Sequence, residues 1–266
     1  MLGTLAHGLQ TPDHRRSWIM LVPNHRLCPQ VDMLDGPMRD CHDLLRWVYD
    51  GYLDGFLARP VAGTGYSTDM DKVMASGTSS SGTLALALAL ALELPWKAGG
   101  GGNLGLRRPA VHFTHASWRS PLPCIRVKLP QPAIEPCSLA QVYAEQPVAT
   151  SSGVLLEGQA GAGRVCVYAN WGGEGGGGLR AVDPVMNVDS KFPPTWIVHG
   201  VEDRMVPIEM SRVLLGRLRE GGVECGMTDV EGEDHTFAAT MEVGSRTWEA
   251  QKEGFDFLER MIAREM

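Results

Sequence analysis

Residues 73–94 constrain the fold more than any other stretch of the chain. Residues 73–76 read as a short buried strand, residues 77–82 (GTSSSG) as a tight turn of small residues, and residues 83–94 (TLALALALALEL) as a helix. The last segment alternates as a strand would, yet Ala and Leu are both strong helix formers and neither face is polar. A helix with leucine on every side has no face to give to water and belongs inside a domain. A strand that turns straight into such a helix predicts a βαβ unit, and with it a parallel sheet covered by helices.

The rest of the chain extends this alternation. Leu2, Leu5 and Leu9 fall at helical spacing, and residues 18–22 form a continuous apolar run ending at Pro23, as a buried parallel strand would. Asp35 is placed to cap a helix with Pro37 in its first turn and Met38, Cys41, Leu45 and Val48 on one face. Residues 108–115 and 195–199 (TWIVH) read as strands, as do Val223, Cys225 and Met227 by alternation. Met210, Val213, Leu214 and Leu218 predict a helix stopped by Gly221 and Gly222, and Trp248, Phe255, Leu258 and Ile262 line a closing helix. The expected fold class is therefore α/β, a mostly parallel sheet flanked by helices. At 266 residues one domain, 1–266, is expected. Within it the Pro- and Gly-rich residues 117–194 read as a lid-like or variable insertion, and the tract GGEGGGG inside them as a flexible loop.

Composition removes several classes of function. A net charge of -7 with mixed signs leaves no basic stripe for phosphates, so no nucleic-acid partner is expected. The longest apolar run falls well short of the roughly 20 residues of a spanning helix, so no membrane span is expected; with no secretory signal in sight, the expected location is cytoplasmic. The six cysteines (Cys28, Cys41, Cys124, Cys137, Cys166, Cys225) form no C-x-x-C pair and have no histidine at metal-ligand spacing, so they read as reduced and mostly buried. Gly100, Gly102 and Gly105 match G-x-G-x-x-G but follow a helix and precede a strand, the reverse of a dinucleotide site. No metal and no organic cofactor is expected.

The chemistry concentrates in three turns. A hydroxyl is a useful nucleophile only when it is held exposed, beside a base, with donors waiting for the oxyanion. A sharp strand-to-helix turn does this, and its crowding calls for small residues two before and two after the nucleophile. Gly77-Thr78-Ser79-Ser80-Ser81-Gly82 places Ser79 at the tip, with Ser81 standing where glycine is wanted and Ser80 as the competing nucleophile. Downstream, HGVEDRMVP follows the strand TWIVH and offers Asp203, with Glu202 one residue out of phase; Asp203 also fits a helix cap or a surface turn. Gly232-Glu233-Asp234-His235 follows the last strand, and His235 alone of eight histidines sits in such a polar loop. Ser79, Asp203 and His235 come in that order, each at the C-terminal end of an expected strand, where open parallel sheets place their sites.

On these residues the sequence resembles the α/β-hydrolases, and within them the hormone-sensitive-lipase-like carboxylesterases, fungal members in particular. The resemblance spans about residues 15–95 and 190–262. VPNHRLCPQ (22–30) is similar to the family's S-P-D-Y-R-L-A-P-E, and Ser79 falls on the serine of G-D-S-A-G-G. Asp203 falls on the acid of H-G-x-x-D-x-x-V-P, and His235 on the base of G-x-x-H-x-F. The resemblance implies an α/β-hydrolase fold and a small or medium carboxylic ester as substrate. It also implies a triad of Ser79, Asp203 and His235, with the Ser80 N–H donating to the oxyanion. The family's H-G-G segment is not found; His7-Gly8 is at best a fragment of it, and residues 2–9 read as the helix that follows it. The reading is thus of a fold lacking its first strands, explained first by an incomplete chain, then by a diverged enzyme, then by a non-catalytic relative. Against the esterase stands a second expectation, an impaired or inactive hydrolase-fold protein that binds its ligand without turning it over.

Overall fold

The computed structural model describes residues 18–26, 34–59, 66–90, 110–116, 183–204, 206–235, 237–239 and 241–263, and all structural statements concern these. In chain order the elements are α1 (Arg39–Tyr49), entered through a π-helical turn Leu34–Met38, α2 (Tyr52–Leu57), β1 (Met74–Ser79), α3 (Ser80–Leu90), β2 (Ala110–Ala116), α4 (Pro184–Asn187), β3 (Thr195–Gly200), α5 (Ile208–Glu220), β4 (Cys225–Val230) and α6 (Arg246–Ala263). They belong to two compact units, one drawn from 1–22, 65–117 and 188–266, the other from 23–64 and 118–187.

The first unit is built on a four-stranded sheet in the order β1-β2-β3-β4, with every neighbouring pair parallel. Strand order follows chain order, so each connection crosses over and the C-terminal ends fall along one edge: Ser79 lies opposite Ala116, and Gly200 opposite Val230. Helix α3 packs on β1 and β2 with Leu84, Ala85, Leu86, Ala87 and Ala89 buried, which is the interior placement its all-round apolarity requires. Helix α5 buries Ile208, Met210, Leu214, Leu215 and Leu218 against β3 and β4. It ends where expected: Gly221 is its C-cap, Gly222 takes a left-handed φ of 72°, and the Val223 N–H turns back to the Leu218 carbonyl at 2.9 Å. Phe255, Phe257 and Leu258 of α6 form a core cluster joined by Trp18, Met74, Trp196 and Met261. Ile197, Leu214 and Leu218 are wholly buried, and truncating any one of them to alanine costs about 2–5 kcal/mol.

In the second unit α1 buries Cys41 and Val48, with Met38 of the π turn buried beside them and Leu45, expected on the same face, half-buried. Arg26 clamps the first turn of α1, with its Nη2 at 2.7 Å from Asp40 Oδ1 and its backbone N–H at 2.6 Å from Asp40 Oδ2. Among the described residues, no helix is long and apolar enough to cross a membrane.

Three expectations need correction. Residues 18–22 are not a buried strand: Ile19, Met20, Leu21 and Val22 are 40–53% exposed and pair with no strand among the described residues. Apolarity specifies what a strand can bury, but a strand is made by a backbone ladder, and this run pairs with none of the four described strands. Asp35 is not a helix cap, because the helical path already begins at Leu34 and Asp35 lies inside the wide π turn that also takes in Pro37. The turn expected at 77–82 is absorbed, β1 running on to Ser79 and α3 starting at Ser80. The expected helix at 2–9 and most of residues 117–194 lie outside the described residues.

Candidate active site

Ser79 closes β1 and is followed at once by α3. Its φ of 53° is the one positive value on a non-glycine residue among those described. An L-residue held there costs roughly 1–3 kcal/mol and persists only where its surroundings impose it. The imposition comes from both sides. The β1–β2 register shifts between Thr78 and Ser79, turning the chain off the sheet. Two residues earlier, a side chain on Gly77 would collide with the Ser81 carbonyl and come within 2.7 Å of the Gly82 nitrogen, so the first turn of α3 can fold back only over glycine. Ser81, the departure from the glycine pattern, faces solvent and has room for its side chain.

Asp203 lies three residues beyond β3 and His235 five beyond β4. Their two loops are laced together: the Val201 N–H donates to the Val230 carbonyl, the Glu202 N–H to the Glu233 carbonyl, each at 3.0 Å, and the Arg204 N–H to Asp234 Oδ1 at 3.2 Å. Gly200 makes this possible, since a Cβ there would stand 2.9 Å from the Asp234 carbonyl oxygen and closer to the Glu233 peptide. Asp234 Oδ1 also accepts the His235 N–H at 2.7 Å.

The three predicted side chains meet. His235 Nε2 is 2.8 Å from Ser79 Oγ, and His235 Nδ1 is 2.7 Å from Asp203 Oδ2. A carboxylate only accepts, so Nδ1 carries the proton toward Asp203 and Nε2 is left with a lone pair facing the serine hydroxyl. The Asp203 side chain has no solvent exposure. Burial opposes its ionisation, but donors on His199 and His235 and the Val206 N–H, which reaches Oδ1 at 2.8 Å, reverse this and hold the carboxyl well below the usual carboxylate range. Of the alternatives, Glu202 is exposed, and the imidazole reaches Ser79 and not Ser80. Ser80 is the first residue of α3, where backbone N–H groups have no partner within the helix and the helix dipole is positive.

Sequence reasoning passed over His199 and Ser211. His199, fully buried near the end of β3, has Nε2 at 3.3 Å from Asp203 Oδ2 and 2.8 Å from the Val206 carbonyl, and Nδ1 at 2.7 Å from Ser211 Oγ of α5. The available signal was a histidine on a buried strand four residues before the acid, a position where an apolar side chain would otherwise stand. A groove of about 470 Å³ runs along β4 and α6 and does not include Ser79, Asp203 or His235; its lining of Asp229, Glu231, Arg246, Lys252, Glu253 and Asp256 is charged with both signs. Among the described residues, no group of three or more His, Cys, Asp or Glu side chains is arranged to hold a metal ion.

A parallel sheet clad in helices, with a strained serine between its first described strand and helix and the acid and histidine loops at the same edge, is the α/β-hydrolase fold. Solved structures carry the same fold at low identity. The acetyl ester-xyloside bifunctional hydrolase of Caldicellulosiruptor lactoaceticus superposes with a TM-score of 0.55 at 15% identity, over 90% of this chain and 70% of that one. A propionate-bound thermophilic esterase of Thermogutta terrifontis follows with 0.52 at 19%, over 89% and 69%. In sequence the chain is 20% identical over 297 residues to the non-reducing polyketide synthase pkbA of Emericella nidulans, a match covering 94% of this chain but 12% of that protein. The chain thus spans about an eighth of the length of the curated relatives it matches. No family model matches it.

Proposed function

We propose that the chain is a serine hydrolase that cleaves a small or medium carboxylic ester through an acyl-enzyme on Ser79. His235 Nε2 takes the Ser79 proton as Oγ attacks the carbonyl carbon, and the tetrahedral oxyanion is met by the Ser80 N–H at the positive end of α3. His235 then returns the proton to the departing alkoxide, and a water activated by the same imidazole releases the acid. Asp203 orients His235 and stabilises the imidazolium that forms in between. The reading is carried by one observation, the continuous line from Ser79 Oγ through His235 to Asp203 at 2.8 and 2.7 Å, on a serine held at positive φ. A fluorophosphonate probe with peptide mapping tests it. Labelling is expected at Ser79 and abolished in Ser79→Ala along with esterase activity. Labelling at Ser80 would move the nucleophile to that residue, and a folded chain labelled at no serine and without esterase activity points instead to a hydrolase-fold protein that binds without turnover.

The likeness to polyketide synthases favours a second reading of the same machinery, in which the acyl group reaching Ser79 arrives as a polyketide thioester rather than an oxygen ester. Thioester and ester carbonyls are attacked alike, the thiolate being the better leaving group. Comparing hydrolysis of an aromatic polyketide thioester of N-acetylcysteamine with that of p-nitrophenyl acetate separates the two, a kcat/KM preference of at least about tenfold for the thioester supporting the second.

A further inference from the structure

We propose that His199 is a positioning residue for Asp203, with Ser211 fixing the imidazole form in which it acts; this rests on the reading of Ser79, His235 and Asp203 given above. Nε2 of His199 faces two oxygens that only accept, the Val206 carbonyl at 2.8 Å and Asp203 Oδ2 at 3.3 Å. It must therefore carry a proton and share it between them. Nδ1 faces the Ser211 hydroxyl at 2.7 Å, which can donate, so a neutral imidazole with its proton on Nε2 satisfies every polar atom in the group. Ser211 and His199 are both without solvent exposure, so no water competes for these bonds.

Among the described residues three donors are directed at Asp203. Val206 N–H holds Oδ1, while the two histidines approach Oδ2, His235 at 2.7 Å and His199 at 3.3 Å. A carboxylate's terminal torsion is broad and two-fold, and a group held at one oxygen only is free to swing out of line with its imidazole. His199 pins the oxygen that His235 uses. It also draws charge from that oxygen, which makes Asp203 a weaker partner for the imidazolium of His235. Without the His199 donor more charge stays on Oδ2, and the imidazolium formed on its partner is held more firmly. The other ionisable groups around this centre are Glu202, Arg204, Glu233 and Asp234 on the two loops and Glu209 and Arg212 on α5. All are exposed except the half-buried Glu233, so solvent screens them.

The test uses the 266-residue chain with p-nitrophenyl acetate and compares His199→Phe, His199→Gln and Ser79→Ala with the unaltered protein. In His199→Phe, kcat is expected to fall roughly 10- to 100-fold, the range produced by misplacing a catalytic group, with KM little changed. The acid limb of the kcat/KM profile moves to higher pH by about half to one pH unit. His199→Gln keeps an N–H donor near Nε2 and is expected to return the limb to its original position. A His199→Phe protein that loses rate with its acid limb unmoved overturns the proposal, since packing alone then accounts for His199. Should that variant not fold, imidazole ¹⁵N shifts in the unaltered protein decide: a proton on Nε2 of His199 supports the proposal, and one on Nδ1 alone overturns it. Full activity in Ser79→Ala would instead remove the underlying reading of the site, an outcome none of the His199 results can mimic.

Discussion

Asp203 shows how a single side chain can be placed where burial alone would neutralise it. The side chain has no exposure, yet its donors on Val206, His199 and His235 keep it ionised. Replacing it with asparagine preserves size and removes the charge, so Asp203→Asn is expected to fold and to lose about 10⁴-fold in kcat, read in the same ester assay. Cys41 shows the opposite result of burial. Desolvation by burial, with the Asp40 carboxylate beside it, pushes the thiol up to about 11. Thiolate is the reactive form, so Cys41 is expected to resist iodoacetamide at about pH 8 in the folded protein and to react once guanidinium unfolds it, measured by mass spectrometry of the alkylated peptides.

At the scale of elements, the junction of β1 and α3 is where local rules are broken and compensated. The strand runs to Ser79 and the helix begins at Ser80, a join that leaves no loop residue to absorb the change of direction. Ser79 takes the strain in its own backbone, and Gly77 gives up its side chain so that the helix can return over it. Gly77→Ala is therefore expected to destabilise the protein by about 1–3 kcal/mol, the usual cost of overpacking, and to suppress fluorophosphonate labelling by displacing Ser79. A thermal melt and a labelling assay on one sample read both effects. Ser81→Gly, at an exposed position, should change labelling little.

Over the whole molecule, the site ties the stability of the first unit to pH through Asp203. Its folded carboxyl titrates below the value of an unfolded chain, so its contribution to stability is complete above the unfolded value and is lost as pH falls toward the folded one. The difference in unfolding free energy between the unaltered protein and Asp203→Asn is therefore expected to shrink as the pH is lowered from about 5 to about 2, measured by urea titration at each pH. A difference that stays constant across that window would mean the carboxyl is not held down by its partners.

Local pattern determined a good deal of this protein. The interior helix was legible because Leu and Ala on every side of residues 83–94 leave no face for water, and the end of α5 because Gly221 and Gly222 supply a conformation other residues resist. The order of Ser79, Asp203 and His235 at strand ends was legible because parallel strands put their C-terminal turns along one edge. Tertiary structure alone decided the rest. Hydrogen bonds of 2.7 and 2.8 Å across separations of 32 and 156 residues depend on sheet register and on the packing of two loops over Gly200, neither of which any short window of sequence encodes. His199 reads in sequence as one more member of a buried strand, and only its neighbours in space reveal two acceptors on one nitrogen and a hydroxyl on the other. The run at 18–22 makes the same point in reverse. Its apolarity is plain in the sequence, but a strand exists only where a second backbone stands ready to pair with it, and that is a property of the fold and not of the segment.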